Sequence, residues 1–367
     1  MRIALVSDVY LPRLGGIEMH VHDLAVQLQQ AGHAVTVFTA TPADSPAADI
    51  PVLRLPSLAG VPTSVEALRL ALGSGEYDVV HAHSSFFSPL AWNATRIAAE
   101  LDLPAVITLH SLPAPDGILL PWLLAHVDRD FGPRVQWTAV SQAVALRLRK
   151  VLPHREIAVL HNGIDPAPWQ QPPLANHPLT IVSTMRLTQR KRPDALLKAL
   201  RDIRRRVPAD LPLRAVIIGA GPRAAAITRA TRRPGLDWVE LPGRLTRYEI
   251  QQLYLSADVY LAPAELESFG VAALEARCAG LAVVAMAAGG VGEFVRDGVE
   301  GFLVDSDQAM AEVTAGLLTD GPLLRKIQAH NRFTGPVMTW PTVIEQHVAR
   351  YAATQPALSA GYLPSKA

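Results

Sequence analysis

Residues 3–39 read IALVSDVYLPRLGGIEMHVHDLAVQLQQAGHAVTVFT, and this stretch decides the fold class. Ile3 to Ser7 is a short apolar run that predicts a buried strand. Apolar residues at helical spacing follow it, and Gly32 is placed to end the helix that they predict. Ala34 to Thr39 is a second strand, rich in β-branched residues. A strand, a helix and a strand in succession predict a βαβ unit with parallel strands.

The same alternation continues along the chain, stops at a proline-rich segment, and then starts again. The segment 166–178 has no periodicity and predicts a stiff linker. We therefore predict an α/β fold of two Rossmann-like, doubly wound parallel-sheet domains at 1–165 and 179–340, with a closing helix and tail at 341–367. Further strands are predicted at 78–82, 105–109, 137–140, 157–160, 179–184, 213–218, 237–241, 258–261 and 281–285, and further helices at 85–100, 118–130, 141–151, 192–206, 222–231, 246–256, 270–279, 308–318 and 341–352.

Composition and charge exclude several classes of function. The 34 Lys and Arg against 33 Asp and Glu give a formal charge of +1, so we expect no nucleic-acid partner, because nucleic-acid-binding domains concentrate positive charge. The single cysteine, Cys278, requires no oxidising compartment. The sequence has neither a signal-peptide pattern nor an apolar run long enough for a membrane span. We therefore expect a cytoplasmic protein and leave open a peripheral contact with the inner membrane face.

Polar and glycine-rich clusters follow many of the predicted strands. In open parallel sheets, ligands bind beyond the carboxyl ends of the strands. Each predicted domain has such clusters along one edge of its sheet. Two sheet edges of this kind, facing each other across a cleft, suit an enzyme that joins two substrates. The clusters are Gly15-Gly16, His110, Asn162-Gly163, Arg186, Gly219, Gly243 and Glu267.

The segment Glu267 to Glu275, ESFGVAALE, carries the strongest local signal. A helix that begins near Phe269-Gly270 points its free N–H groups and its positive dipole end at an anion. Glu275, further along that helix, can accept paired hydrogen bonds from vicinal hydroxyls such as those of ribose. The alternative is a charge near a helix terminus and a solvated surface glutamate.

Two cations follow the strand at 179–184. Arg186 comes directly after it and Lys191 five residues later. Arg binds phosphate through a forked contact and Lys as a point charge, so this loop can neutralise a diphosphate. The alternative is a solvated basic loop, since Arg190 and Arg192 lie in the same segment.

Glycines and histidines supply weaker signals. Gly15-Gly16 permits positive φ angles and a close approach of the backbone to a phosphate or sugar, or forms an ordinary tight turn. His110 at a strand end can donate a hydrogen bond to a sugar hydroxyl, or is structural. His81 and His83 share one strand face, but no third ligand stands at metal-motif spacing, so we expect no metal site.

A different class of function is indicated by the loop Gly219-Ala-Gly221-Pro-Arg-Ala224. It matches the GxGxxA dinucleotide fingerprint, with Glu240 at the distance expected for a ribose-binding acid. This is the basis of the alternative of an NAD-dependent oxidoreductase. Pro222 argues against it, because proline removes one N–H from a loop that should hold pyrophosphate.

Taken together, the motifs resemble those of glycosyltransferase family 4, whose members have the two-domain GT-B fold. The resemblance implies transfer of a sugar from a nucleotide diphosphate donor, with retention of anomeric configuration and without a required metal or other cofactor. It covers nearly the whole chain. The matching segments are PRLGGIEMHVHDLAVQLQQAGHAVTVFT, DVVHAH, VITLHS, VLHNGID, RLTQRK, IIGAGP, LPGRL, SADVYLAPAELESFGVAALEA and AAGGVGEFVRDGVEGFLV.

The resemblance implies a diphosphate site and a sugar site. Arg186 and Lys191 would hold the diphosphate, together with backbone of the Gly15-Gly16 turn and of Phe269, Gly270 and Val271. The roles it implies for the rest of the donor are ribose binding by Glu275, contact with the donor sugar by Glu267, contact with the sugar at the reaction centre by His110, and packing near the base by Leu245. Many members have Gly where this chain has Met185, which adds bulk next to Arg186.

We therefore predict a retaining glycosyltransferase. It would move a sugar from GDP-mannose or a UDP-sugar to a hydroxyl of an acceptor such as a lipid or a polysaccharide precursor. The alternatives are the NAD-dependent oxidoreductase and a non-catalytic nucleotide-sugar binder.

Overall fold

The computed structural model describes residues 1–43, 49–58, 61–62, 64–85, 87–111 and 119–354, which form two sheets of parallel strands with helices between them. A short antiparallel hairpin is added to these sheets. The predicted tail beyond residue 354 lies outside the described residues.

The first sheet is built from the amino-terminal part of the chain. Its elements and the hairpin are β1 (Arg2–Ser7), α1 (Gly16–Gln30), β2 (Ala34–Thr39), β3 (Val52–Arg54), β4 (Ser57–Leu58), β5 (Val61–Pro62), α2 (Val65–Ser74), β6 (Val79–Ser84), α3 (Pro89–Glu100), β7 (Ala105–Leu109), α4 (Leu119–Arg129), β8 (Gln136–Ala139), α5 (Gln142–Val151) and β9 (Ile157–Val159). The strand order is β3-β2-β1-β6-β7-β8-β9, and β1 pairs in parallel with both β2 and β6. Gly32, with φ 85°, follows α1 in the left-handed region, as the sequence predicts.

The second sheet has six strands, in the order β12-β11-β10-β13-β14-β15. Its elements are β10 (Leu179–Thr184), α6 (Pro193–Arg206), β11 (Leu213–Ile218), α7 (Ala224–Thr231), β12 (Val239–Gly243), α8 (Arg247–Tyr254), β13 (Val259–Ala262), α9 (Val271–Cys278), β14 (Ala282–Met286), β15 (Gly301–Val304), α10 (Asp307–Thr319), α11 (Gly321–Phe333) and α12 (Trp340–Thr354). All of its pairs are parallel. Both of its faces are covered, because Ile181, Val182 and Val284 are all buried.

In this second sheet the chain changes direction at its centre. β10 pairs with β11 on one side and with β13 on the other. The loops that follow β10 and β13 therefore leave neighbouring strands at the same edge and turn to opposite sides. In open α/β sheets this reversal point is where ligands bind.

The chain divides into two compact units. The first contains Met1–Thr108, Leu123–Thr138 and the described residues from Ile344 onward, and the second contains Leu109–Trp122 and Ala139–Val343. The boundaries that composition predicts on either side of segment 166–178 stay a prediction.

Several elements differ from the prediction. Helix α3 begins at Pro89 rather than at 85, because proline at the first helical position starts a helix but cannot continue one. α2, α11, the hairpin strands β4 and β5, and the short strands β3 and β15 were not predicted. β15 holds only four residues, GFLV, and too short a run gives no periodicity to detect.

Candidate active site

The loop that carries Arg186 leaves the carboxyl end of β10 and runs beside the loop after β11. Met185 N–H donates to Ile218 O at 3.0 Å, and Leu187 N–H donates to Ala220 O at 3.0 Å. These bonds extend the pairing of the two strands past their ends. They fix the backbone on both sides of Arg186, whose exposed side chain has no ion-pair or hydrogen-bond partner among the described residues.

Gly219 and Gly221 make this close pairing of loops possible. Both have positive φ angles, 139° and 157°. A Cβ on Gly219 would lie 1.9 Å from Met185 O, and one on Gly221 would lie 2.5 Å from Leu187 O. The two glycines therefore have a structural cause, namely the approach of one backbone to another.

The structure explains the glycines and the acid of the GxGxxA match without a dinucleotide. Its glycines are packed against the Arg186 loop, as described above, and the acid expected to bind ribose is already paired. Glu240 forms a two-bond ion pair with Arg214, at 2.7 Å for each bond. The sequence match reproduced the glycine spacing but not its physical cause.

The other cations of the loop have different partners. Arg192, in the left-handed conformation with φ 56°, forms a two-bond ion pair with Asp307 at 2.9 Å and donates to Pro263 O at 2.8 Å. Arg190 donates to Leu266 O at 3.3 Å. Burial lowers the pKa of Arg190, and the nearby positive charge of Arg147 acts in the same direction. These two arginines attach the basic loop to the loop after β13, so the interpretation of the whole segment as a solvated loop is wrong.

Lys191 lies in a short 3-10 helix, Gln189–Lys191, and its side chain points to the loop after β13. Lys191 Nζ is 2.5 Å from Glu267 Oε2, and the two side chains are 30% and 20% exposed. The structure thus brings together a cation predicted to hold phosphate and a carboxylate predicted to contact a sugar.

The loop Glu267–Gly270 is held against the segment that follows β14. Gly290 N–H donates to Glu267 O at 2.8 Å, and a Cβ on Gly290 would lie 2.3 Å from Ser268 O. Phe269 is buried and packs against Phe294, with ring centroids 5.5 Å apart.

Gly270 is the residue that turns this loop into helix α9. It has φ 97°, in the left-handed region, and a Cβ would lie 2.8 Å from Val291 Cγ2. Its carbonyl accepts the first helical bonds, from Ala273 and Leu274. The helix therefore begins at Val271, close to the predicted position and four residues after Glu267.

Glu275 lies in α9 and is 13% exposed. Its Oε1 is 3.7 Å from Arg247 Nε at the start of α8. Burial, reinforced by the negative charges of Glu267 and Glu275, raises the pKa of Tyr260 above its ordinary value. Both carboxylates therefore act on Tyr260. The hydroxyl of this tyrosine donates to Thr184 O at 3.0 Å, at the end of β10.

The remaining predicted residues lie on other elements. His110 follows β7 and is buried, at 8% exposure. Leu245 is half-buried and lies between β12 and α8. Gly15 caps α1 and Gly16 begins it, and both belong to the first unit. Neither glycine uses the positive φ that its lack of a side chain permits: Gly15 is extended, with φ −173°, and Gly16 is not among the positive-φ glycines.

His81 has a structural explanation within the first unit. Its Nδ1 lies 2.7 Å from the Tyr351 hydroxyl, and its Nε2 lies 2.7 Å from Thr108 Oγ1. Thr108 Oγ1 is 2.5 Å from Thr138 Oγ1, which in turn donates to Ile107 O. The expectation that the protein requires no metal stays a prediction.

Sequence reasoning missed Glu293. Its Oε1 accepts a bond of 2.6 Å from Gln142 N–H at the start of α5, and its Oε2 lies 3.0 Å from His161 Nε2. Ser141, the cap of α5, donates to Ser268 O at 2.6 Å. Glu293 lies within the segment AAGGVGEFVRDGVEGFLV, but the pattern gives no sign of its partners, which are distant in sequence.

Two family models match the chain, one after the other. The model described as Glycosyltransferase Family 4 matches residues 14–168, and the one described as Glycosyl transferases group 1 matches residues 169–332. No described helix is both long enough and apolar enough to cross a membrane.

Curated relatives and solved structures agree with these matches. The chain is 27% identical to a human phosphatidylinositol N-acetylglucosaminyltransferase subunit, over 94% of this chain and 74% of that protein. It is 28% identical to the GDP-mannose-dependent alpha-(1-6)-phosphatidylinositol monomannoside mannosyltransferase of Mycobacterium tuberculosis, over 87% and 89% of the two chains. Its fold is similar to that of Anabaena HepE solved with UDP-glucose, with a TM-score of 0.77 at 20% identity over 96% and 100% of the chains.

Proposed function

Because the chain belongs to glycosyltransferase family 4 and is a GT-B enzyme that acts on nucleotide sugars, we propose that it transfers the sugar with retention and binds the donor in the second unit. One observation carries the proposal. Lys191, in the loop at the switch point of the sheet, is 2.5 Å from Glu267, which lies four residues before the start of helix α9. Groups suited to a diphosphate and to a sugar are therefore adjacent.

The diphosphate would lie between the Arg186 loop and the amino end of α9. Arg186 supplies an exposed guanidinium, Lys191 an amine, and Val271 a helix-terminal N–H group. Their positive potential is fixed before the reaction, because Arg190 and Arg192 attach the loop to its neighbours. Each well-placed donor of this kind contributes about 3–4 kcal/mol to stabilising developing negative charge. The chain's own cations then serve the leaving group, and we propose that no metal or other cofactor is required.

Donor binding would exchange the partners of Lys191. Before binding, Glu267 holds the amine at 2.5 Å. A diphosphate competes for that amine and leaves Glu267 free to accept hydrogen bonds from the donor sugar hydroxyls. Glu275 would bind the ribose hydroxyls and Leu245 would lie near the base. As the family resemblance implies, His110 would contact the donor sugar. The backbone of the Gly15-Gly16 turn would contact the diphosphate.

The chemical step breaks the bond between the anomeric carbon and the β-phosphate oxygen. The electron pair stays on that oxygen, where the cations stabilise it. The acceptor hydroxyl forms the new bond on the same face, and its proton goes to the departing phosphate oxygen. We therefore assign no separate base to the chain.

The relatives support two kinds of donor and a lipid acceptor. One is named as an N-acetylglucosaminyltransferase and another as GDP-mannose-dependent, and both names include phosphatidylinositol. We propose a UDP-sugar or GDP-mannose as donor and a hydroxyl of a lipid or polysaccharide precursor as acceptor. A lipid acceptor would place a cytoplasmic enzyme at the inner membrane face.

The test is a matrix of donors and acceptors. UDP-glucose, UDP-N-acetylglucosamine and GDP-mannose are each incubated with phosphatidylinositol vesicles or with maltooligosaccharides, and release of nucleoside diphosphate is measured. We expect acceptor-dependent release with one donor, and an NMR coupling constant in the product that matches the anomeric configuration of the donor. Binding without transfer or hydrolysis would favour a non-catalytic binder, and tight binding of NADH would favour the oxidoreductase.

A further inference from the structure

Arg247 is a charged residue beside the candidate site to which the motifs assign no role. Its Nε lies 3.7 Å from Glu275 Oε1. The guanidinium is 43% exposed, whereas Glu275 is 13% exposed. An accessible cation thus lies beside a mostly buried carboxylate.

The helix that carries Arg247 does not explain why an arginine stands there. Thr246 caps α8 with a complete capping box, in which Glu249 Oε2 accepts from Thr246 N–H at 2.7 Å and Thr246 Oγ1 accepts from Glu249 N–H at 3.2 Å. This box fixes the backbone on either side of Arg247. A cation in the first turn is disfavoured by the helix dipole, so its position is better explained by its partner than by its own helix.

Glu275, the partner of Arg247, lies past the first turn of α9. Glu275 is the fifth residue of α9, where the dipole gives a carboxylate little stabilisation. The tyrosines close to it, Tyr254 and Tyr260, are buried, and burial together with the charge of Glu275 raises the pKa of both. Arg247 supplies an opposite charge 3.7 Å from Glu275, and it does so from the start of α8, the helix that follows the loop containing Leu245.

We propose that Arg247 is a positioning residue for the ribose of the donor nucleotide. This inference rests on the proposed function, in which Glu275 accepts hydrogen bonds from the vicinal ribose hydroxyls. The distance of 3.7 Å exceeds hydrogen-bond length, so on the Nε side the guanidinium orients the carboxylate by charge. Arg247 thereby sets how strongly the enzyme prefers a ribonucleotide over a 2′-deoxyribonucleotide.

The experiment measures that preference by calorimetry on the full chain. The probes are UDP and GDP, each paired with its 2′-deoxy analogue, and the base that binds is used throughout. The variants are Arg247→Gln and Arg247→Lys. Arg244→Gln is the matched control, because Arg244 is an exposed arginine of the loop that leads into α8 and has no partner among the described residues. Melting temperatures should stay within about 3 °C, since exposed ion pairs contribute little to stability.

We expect the wild type and Arg244→Gln to bind the ribonucleotide at least about tenfold more tightly than its 2′-deoxy analogue, because the 2′-hydroxyl donates a hydrogen bond to a charged acceptor. In Arg247→Gln this ratio should fall to about threefold or less, through weaker ribonucleotide binding alone, and Arg247→Lys should restore part of it.

Two results would overturn the inference and leave the proposed function intact. The first is an unchanged ratio in Arg247→Gln. The second is an equal loss of affinity for both nucleotides, which would mean that Arg247 contacts the phosphates or the base. Failure of the wild type to bind either nucleoside diphosphate would instead reject the proposed function, and the inference with it.

Discussion

Replacing Gly219 with alanine tests how the site is built, in the absence of any ligand. The new Cβ would lie 1.9 Å from Met185 O, a backbone atom that cannot turn away. Overpacking of this kind costs about 1–3 kcal/mol. A non-glycine residue at φ 139° adds about 1–3 kcal/mol of backbone strain. The free energy of unfolding should therefore fall by about 2–6 kcal/mol.

The assay is thermal and denaturant unfolding of the ligand-free protein. We expect the melting temperature to fall by about 4–24 °C, because the melting temperature of a unit of this size falls by roughly 2–4 °C for each kcal/mol of stability lost. Gly316→Ala is the control: Gly316 lies within α10 and has nothing within 4 Å of an added Cβ, so alanine should stabilise the protein by about 0.5–1 kcal/mol.

The opposite pattern would mean that Gly219 is not needed for the packing of the two loops. If Gly219→Ala melts like the wild type and loses only ligand binding, Gly219 faces a ligand, as it does in a dinucleotide-binding loop. A destabilised ligand-free protein would confirm that the glycine is needed for the approach of the two loops, and the displaced Arg186 should then also weaken binding of a nucleoside diphosphate.

Three further perturbations concern separate parts of the molecule. Lys191→Gln should lower the turnover rate about 10²–10³-fold while unfolding changes by less than about 1 kcal/mol, because the ion pair is partly exposed; steady-state kinetics within tenfold of the wild type would contradict the role in leaving-group stabilisation. Burial raises the pKa of Asp8 to about 6 from 3.8, so its stabilising contribution is complete below pH 3.8 and is lost as the pH rises through 6. Asp8→Asn should flatten this decrease in stability with pH, measured as the urea midpoint of unfolding at each pH. An unchanged pH dependence would count against the raised pKa of Asp8. Tyr351→Phe removes the hydroxyl 2.7 Å from buried His81 Nδ1 and should destabilise the protein by about 1–3 kcal/mol in denaturant titrations, whereas exposed Tyr248→Phe should have no effect; equal stability of the two variants would disprove the chain of hydrogen bonds.

The sequence predicts the strands and helices that have strong periodicity. The unit at 3–39 has a parallel register in the structure, with Arg2 opposite Ala34 and Ser7 opposite Thr39. Since ligands bind at the carboxyl ends of such strands, the positions of Arg186 and Glu267 after neighbouring strands follow from the same pattern.

Side-chain pairing between distant segments was not predictable. Arg247 and Glu275 are 28 residues apart, and Gln142 and Glu293 are 151 residues apart. Nothing in local periodicity encodes such contacts, because they depend on how the loops meet after the sheet has formed. The GxGxxA match was misleading for the same reason: glycine spacing records a close approach, but the approaching group was Met185 O rather than a phosphate.

The most direct test of the donor site is a crystal structure of the enzyme with a bound nucleoside diphosphate sugar. We expect diphosphate oxygens within about 3 Å of the Arg186 guanidinium and of Lys191 Nζ, with the amine released from Glu267. A diphosphate bound elsewhere, with Lys191 still 2.5 Å from Glu267, would contradict it.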